Sequence, residues 1–118
     1  MATKQQVFEK RTWDQRTIVV NCTDFLDTSE TIASIASVAA DQGGITFGTP
    51  VVNATPVTFP DGSTAAIGKA VQVRVLNGAI PAGQLTLNCT TRLHLVTTID
   101  PQLEATFIVR LNDQAYPT

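Results

Sequence analysis

Residues 85–97 read L-T-L-N-C-T-T-R-L-H-L-V-T, and residues 103–111 read L-E-A-T-F-I-V-R-L. In both stretches apolar or small side chains alternate with polar ones. A period of two places the first set on a buried face of a β-strand and the second on a wet face. The same alternation runs through Val71, Val73 and Val75, which are separated by Gln72 and Arg74. The three segments predict a β-sandwich.

The composition agrees with an all-β chain. Val, Ile and Thr supply 38 of the 118 residues, and these β-branched types fit pleated surfaces better than helices. Turn signals divide the chain into about seven strands, predicted at residues 17–22, 31–40, 45–52, 57–59, 70–76, 85–97 and 103–111. We expect one domain over residues 17–118, preceded by an extended N-terminal arm over residues 1–16.

The segment at residues 31–40 is ambiguous. Ile32, Ile35 and Val38 recur every three residues among small side chains, as on a helix, and Asp27 followed by Glu30 resembles a capping box. The same segment could equally form a strand, since periodicity does not decide so short a run.

The arm is polar except for two large rings, Phe8 and Trp13. It could be a frayed terminus, or it could dock both rings on a neighbouring subunit.

Bulk properties exclude several classes of protein. The net charge is −2, with no basic stripe for nucleic acid, and no run of about 18 apolar residues could span a membrane. The N-terminus lacks the apolar stretch of a secretory signal, which predicts synthesis in a cytoplasm. Cys22 and Cys89 are then expected as buried thiols, with an inter-sheet disulfide as the alternative.

No catalytic, metal or cofactor site is predicted. The one histidine, His94, falls on the wet face beside Arg92, away from any other nucleophile. Asp24, Asp27 and Glu30 could bind calcium through their oxygens, but they lack the pattern of a calcium loop, so turn formation is the simpler interpretation.

Residues 24–34, D-F-L-D-T-S-E-T-I-A-S, resemble the opening signature of the phage fibre-tail adaptor family, small virion proteins of tailed bacteriophages with an immunoglobulin-like sandwich. The resemblance implies that the signature joins a first strand to a second, so that residues 32–39 form a strand. It also implies that Phe25 and Leu26 plug one end of the sandwich while Glu30 accepts backbone N–H groups. The matching positions are Asp24, Phe25, Leu26, Glu30, Thr31 and Ile32.

The resemblance implies a bacteriophage virion protein that attaches tail fibres or accessory proteins to the tail or head–tail connector. Its expected partners are other virion proteins, including further copies of itself. Capsid decoration is the alternative function, and carbohydrate binding is a third that the shortage of aromatic residues disfavours. The expected contact residues, chosen as interface-type side chains or loop positions, are Phe8, Arg11, Trp13, Asn77, Ile80 and Tyr116.

Overall fold

The computed structural model describes residues 6–113, and these residues form an all-β fold. One sheet has four strands: β1 (Val7–Lys10), β3 (Ile32–Ala40), β9 (Thr86–Thr97) and β10 (Leu103–Asn112). Their order across the sheet is β1-β10-β9-β3. The β1 strand is parallel to β10, and the other neighbours are antiparallel.

The second sheet is centred on β8 (Ala70–Leu76), which pairs with three strands. Its partners are β2 (Arg16–Asn21), β4 (Thr46–Phe47) and β5 (Val51–Val52). A separate hairpin joins β6 (Val57–Thr58) to β7 (Thr64–Ala65). A single 3-10 turn, Thr23–Phe25, follows β2, and no helix among the described residues could cross a membrane.

The core lies between the two sheets and is built by the alternating residues that the sequence predicts. Val71, Val73 and Val75 of β8 face Leu93 and Phe107 of the other sheet in one buried cluster. Each fully buried side chain of this size contributes about 1.5–3 kcal/mol through removal of apolar surface from water. Both cysteines belong to the cluster as free, buried thiols, as expected.

The ambiguous segment at residues 31–40 is a strand, and its three-residue spacing has a physical cause. Two register shifts interrupt its pairing with β9, one between Ile32 and Ser34 and one between Ile35 and Ser37. Each β-bulge inserts one extra residue, so the inward positions Ile32, Ile35 and Val38 fall every three residues instead of every two.

The arm prediction differs from the structure over residues 7–10, which form β1 within the sheet. Phe8 packs edge-to-face on Phe107, with 5.7 Å between ring centroids. The Gln6 side chain holds β1 to the second sheet, because its amide N–H donates to the Asn21 carbonyl (2.8 Å) and its oxygen accepts the Asn21 N–H (2.9 Å). The sandwich therefore begins before residue 16, since an apolar ring and a backbone ladder fix this segment.

Other strand boundaries shift less. The strand expected at residues 45–52 is two short pieces, β4 and β5, separated at Gly48 and Pro50. Here Pro50 has no N–H to donate to a ladder. The two-residue β7 strand is not predicted from the sequence.

The twelve-residue strand β9 spans about 40 Å at about 3.3 Å per residue, so it must follow the 46 Å long axis of the molecule. The connections between the long strands therefore lie at two opposite ends of the sandwich. At one end Lys10 lies opposite Leu111, and Arg16 lies opposite Val75. We call it the Trp13 end, comprising residues 11–15, 41–45, 77–85 and Asp113. The opposite end, where Ile32 pairs with Thr97, is the Glu30 end, comprising residues 22–31, 66–69 and 98–102.

Candidate docking surface at the Trp13 end

The most exposed large apolar side chain among the described residues is Trp13, at 92% exposure. It lies in the loop of residues 11–15, which carries the chain from β1 in one sheet to β2 in the other. An indole in water offers a large apolar surface with an N–H donor, the combination most enriched at protein interfaces. This side chain is the natural starting point for a functional site.

The loop that carries Trp13 is held in place from the C-terminal side. The Asp113 carboxylate accepts the Thr12 backbone N–H (2.8 Å) and the Thr12 hydroxyl. The hydrogen bond from the Thr12 hydroxyl has the larger effect and the one from the Thr12 N–H the smaller, and both lower the pKa of Asp113. The carboxylate therefore remains ionised at neutral pH. A turn hydrogen bond from the Asp14 N–H to the Arg11 carbonyl (3.2 Å) closes the loop itself.

A buried lysine side chain also holds this loop through hydrogen bonds. Lys10 is only 3% exposed, and its ammonium donates to the carbonyls of Arg11 (2.6 Å) and Thr12 (3.3 Å). Burial lowers the pKa of Lys10, while the charges of Asp14 and Asp113 act in the opposite direction. A lysine on a short, mostly polar segment gives no sequence signal that it will be buried, so sequence analysis missed it.

Asn77 lies beside the Trp13 loop. Its backbone is left-handed (φ 59°), and its side-chain amide donates to the Thr46 hydroxyl (2.7 Å). Asn77, Trp13 and the adjoining residues 12, 14 and 15 line an open depression of about 400 Å³. Leu85, 66% exposed, adds a second apolar side chain to this end.

Three of the six expected contact residues lie at this end with solvent-accessible side chains: Trp13 and Asn77 are exposed, and Arg11 is half-buried. Phe8 packs within the protein's own core, and Ile80 is half-buried against that core. Tyr116 lies outside the described residues.

The signature residues build the opposite end. Phe25 and Leu26 pack against the core, and Ile32 is part of it. Glu30 is 2% exposed, accepts the Asp27 N–H (3.0 Å) and receives a short hydrogen bond from the Thr97 hydroxyl. Glu30 thus accepts a backbone N–H as the resemblance implies, and it also joins its own turn to the β9–β10 connection.

Two carboxylates near this point influence each other. The hydrogen bond from the Thr97 hydroxyl, followed by the one from the Asp27 N–H, lowers the pKa of Glu30. The hydrogen bond with Glu30, then burial and the negative charge of Glu30, raise the pKa of Asp100. Within residues 6–113 no group of three or more His, Cys, Asp or Glu side chains is arranged to hold a metal ion. The hydrogen bonds of Glu30 join the turn at residue 27 to Thr97 at the end of β9.

The prediction that His94 lies away from any nucleophile is wrong. The Ser37 hydroxyl lies 3.1 Å from His94 Nδ1, and Glu104 lies 3.1 Å from His94 Nε2. Residues 37, 94 and 104 are direct cross-strand neighbours, which is how the sheet assembles them. The bulge at residues 35–37 sets the register that brings Ser37 there, and the sequence does not announce a bulge.

This row has the order of a nucleophile, a base and an acid, and it lies open to water on the outer face of the sheet. About half of the His94 and Glu104 side chains is exposed to water, and Arg92 also pairs with Glu104 at 3.6 Å. Solvent screens such a row, and surface pairs of this kind contribute little. We therefore interpret it as a polar ladder across the sheet.

Comparisons with known protein families, with curated proteins and with solved structures return no match.

Proposed function

We propose that this chain is a structural component of a tailed-bacteriophage virion, an adaptor that attaches fibres or accessory proteins to the tail or head–tail connector. It works by surface contact and not by catalysis. The observation that carries the proposal is Trp13, 92% exposed on a loop whose backbone is held by hydrogen bonds from Lys10 and to Asp113. A backbone segment that is held before binding has less conformational freedom to lose on docking, which favours affinity.

We also infer that the sandwich is of the immunoglobulin type. The strand order β10-β9-β3 in one sheet and β2-β8-β4 in the other supports this, since it corresponds to strands G-F-C and B-E-D of that fold. The first strand lies on the last strand, which leaves β2 at the edge of its sheet.

Residues 24–32 support the family assignment. The resemblance implies that Phe25 and Leu26 close the end of the sandwich and that Glu30 accepts backbone N–H groups, and both contacts exist in the structure. Two buried, unpaired thiols fit synthesis in a reducing cytoplasm before assembly. Capsid decoration through a reaching arm has less support, because Val7–Lys10 are committed to the chain's own sheet.

The test is incorporation into particles. The wild-type chain and Trp13→Ala are produced in cells that make the virions, and the chain is quantified in purified particles by mass spectrometry. Val51→Ala is the matched control, because Val51 is also exposed (57%) but lies on β5, away from the Trp13 end.

We expect the wild-type and Val51→Ala chains to be present in the particles at equal levels. The Trp13→Ala chain should be depleted about 30-fold, because loss of a hot-spot residue costs about 2 kcal/mol of binding free energy. A wild-type chain missing from the particles would overturn the virion role. Equal incorporation of Trp13→Ala would overturn the assignment of the docking surface.

A second experiment tests whether Ser37, beside His94 and Glu104, is instead a catalytic nucleophile. A fluorophosphonate reagent attacks serines that a neighbouring base activates. We expect no adduct on Ser37 at neutral pH, since its row is open to water. Stoichiometric labelling that disappears in His94→Ala would show an activated nucleophile and would refute a purely structural protein.

A further inference from the structure

Both ends of the sandwich expose a pair of large apolar side chains. At the Trp13 end these are Trp13 and Leu85, and at the Glu30 end they are Ile67 and Ile99, which are 55% and 52% exposed. Scattered exposed apolar residues are ordinary, but here four of the six such residues lie at the two ends of the long axis.

Ile67 and Ile99 belong to one surface. The Thr98 N–H donates to the Thr31 carbonyl (2.9 Å), and the Ile32 N–H donates to the Gly68 carbonyl (2.8 Å). Each isoleucine is thus the chain neighbour of a residue that bonds to the start of β3. The two loops flank Thr31, so their isoleucines form the rim of a shared patch.

The two ends differ in the sign of their charge. To compare the ends, we count each one together with the strand residues within three positions of it. Among the described residues, the Glu30 end then carries five carboxylates and one cation, a net charge of −4: Asp24, Asp27, Glu30, Asp100, Glu104 and Lys69. The Trp13 end carries five cations and four carboxylates, a net charge of +1: Lys10, Arg11, Arg16, Arg74, Arg110, Glu9, Asp14, Asp41 and Asp113. Opposite potentials steer two surfaces together and discourage contact between like ends.

The size of the ends sets the strength of the contact. The molecule measures 46 × 28 × 27 Å, so one end presents roughly 600 Å², and a pair of ends would bury about 1,200 Å² in total, the low limit for a specific interface. A single contact of this size is weak. It becomes strong when the contacts close a ring, because the last contact forms within one assembly.

From these observations we propose that copies of this chain associate head to tail, with the Trp13 end of one copy seated on the Glu30 end of the next. The proposal deepens the proposed function, since it names the occupant of the docking surface, and it rests on that surface being the Trp13 end. Such a contact uses two different surfaces, so it builds rings or filaments and not a closed dimer.

The experiment blocks one surface at a time. Trp13→Asp places a charge in the centre of the first surface, and Ile99→Asp does so in the second. Each variant, their equimolar mixture and the wild type are followed by sedimentation velocity from micromolar to millimolar concentration. Val7→Asp is the matched control, because it adds the same charge at an exposed apolar position that pairs with Ile108 in the middle of β10, away from both ends.

The wild type and Val7→Asp are expected to form species larger than a dimer as concentration rises. Each blocked variant alone should remain monomeric. The mixture should stop at a dimer, because the intact Trp13 end of Ile99→Asp meets the intact Glu30 end of Trp13→Asp and neither complex can grow. Raising the salt concentration should weaken the wild-type association.

Three results would overturn the head-to-tail contact: a wild type that is monomeric at every concentration, a dimer of Ile99→Asp alone, or a mixture that does not associate. Incorporation into particles separates this failure from that of the proposed function. A monomeric wild type whose incorporation depends on Trp13 refutes self-association and leaves the adaptor function standing, with a different protein on the Trp13 end.

Discussion

The contact between Phe8 and Phe107 decides whether the first strand is part of the sandwich or a free arm. Phe107 is completely buried, and the half-buried Phe8 meets it edge-to-face at 5.7 Å. Removing a fully buried Phe costs about 3–5 kcal/mol, so Phe8→Ala should lower the free energy of unfolding by about 2 kcal/mol. An aromatic pair contributes about 0.5–1.5 kcal/mol beyond its buried area.

A double-mutant cycle isolates that pair. With Phe107→Leu in the background, which removes the ring but keeps a large apolar side chain, the cost of Phe8→Ala should fall to about 1 kcal/mol. Urea unfolding is followed by far-UV circular dichroism, because the exposed Trp13 reports little of the core. Val7→Ala on the same strand is the control, since Val7 is 46% exposed and should change stability by less than about 0.5 kcal/mol. A cost of Phe8→Ala as small as that of Val7→Ala, or a coupling of zero, would refute the docking of β1.

Three further predictions concern the interior and the Glu30 end. Asp100→Asn should raise the melting temperature at pH 7. The pKa of Asp100 is raised beside Glu30, so this carboxyl stabilises the fold only while it is protonated, whereas an amide donates to Glu30 at every pH. The gain should shrink below about pH 4, because Asp100 of the wild type is then protonated and because the stability that comes from the lowered pKa of Glu30 is lost as Glu30 becomes protonated. The thiols of Cys22 and Cys89 should react with a disulfide reagent only after unfolding, since both are fully buried and burial raises the pKa of Cys22 to about 12; native labelling within seconds would contradict this. Gly43→Ala should destabilise the protein by about 2–4 kcal/mol, because Gly43 has a φ of 85° and a Cβ there would lie 2.7 Å from the Cys89 sulfur; an unchanged unfolding midpoint would show that the loop relaxes freely.

The sequence predicts the long strands well and the bulged strand poorly, for a definable reason. Alternation in β8, β9 and β10 reports burial directly, because β9 pairs with β10, and β8 with β2, without a register shift. In β3 two bulges convert a period of two into a spacing of three, which imitates a helix. Only the partner strand, about 55 to 65 residues further along, reveals that the spacing belongs to a strand.

The candidate site likewise has one feature that the sequence indicates and several contacts that it does not. Trp13 stands out in the sequence as a large ring in a polar stretch, and in the structure its side chain is 92% exposed. The contacts that fix its loop come from buried Lys10 and from Asp113, about 100 residues away, and no local pattern predicts either. The neighbours of Glu30 and His94 are likewise cross-strand residues, which register alone brings together.

The most direct test of the central claim, that the Trp13 end is the docking surface, measures the solvent access of Trp13 before and after assembly. Trp13 is the only tryptophan in the chain, so quenching of tryptophan emission by acrylamide reports this one side chain. We predict strong quenching in dilute solution and protection, with emission shifted to shorter wavelength, once the protein is concentrated enough to assemble. Equal quenching in the dilute and assembled samples would contradict the account.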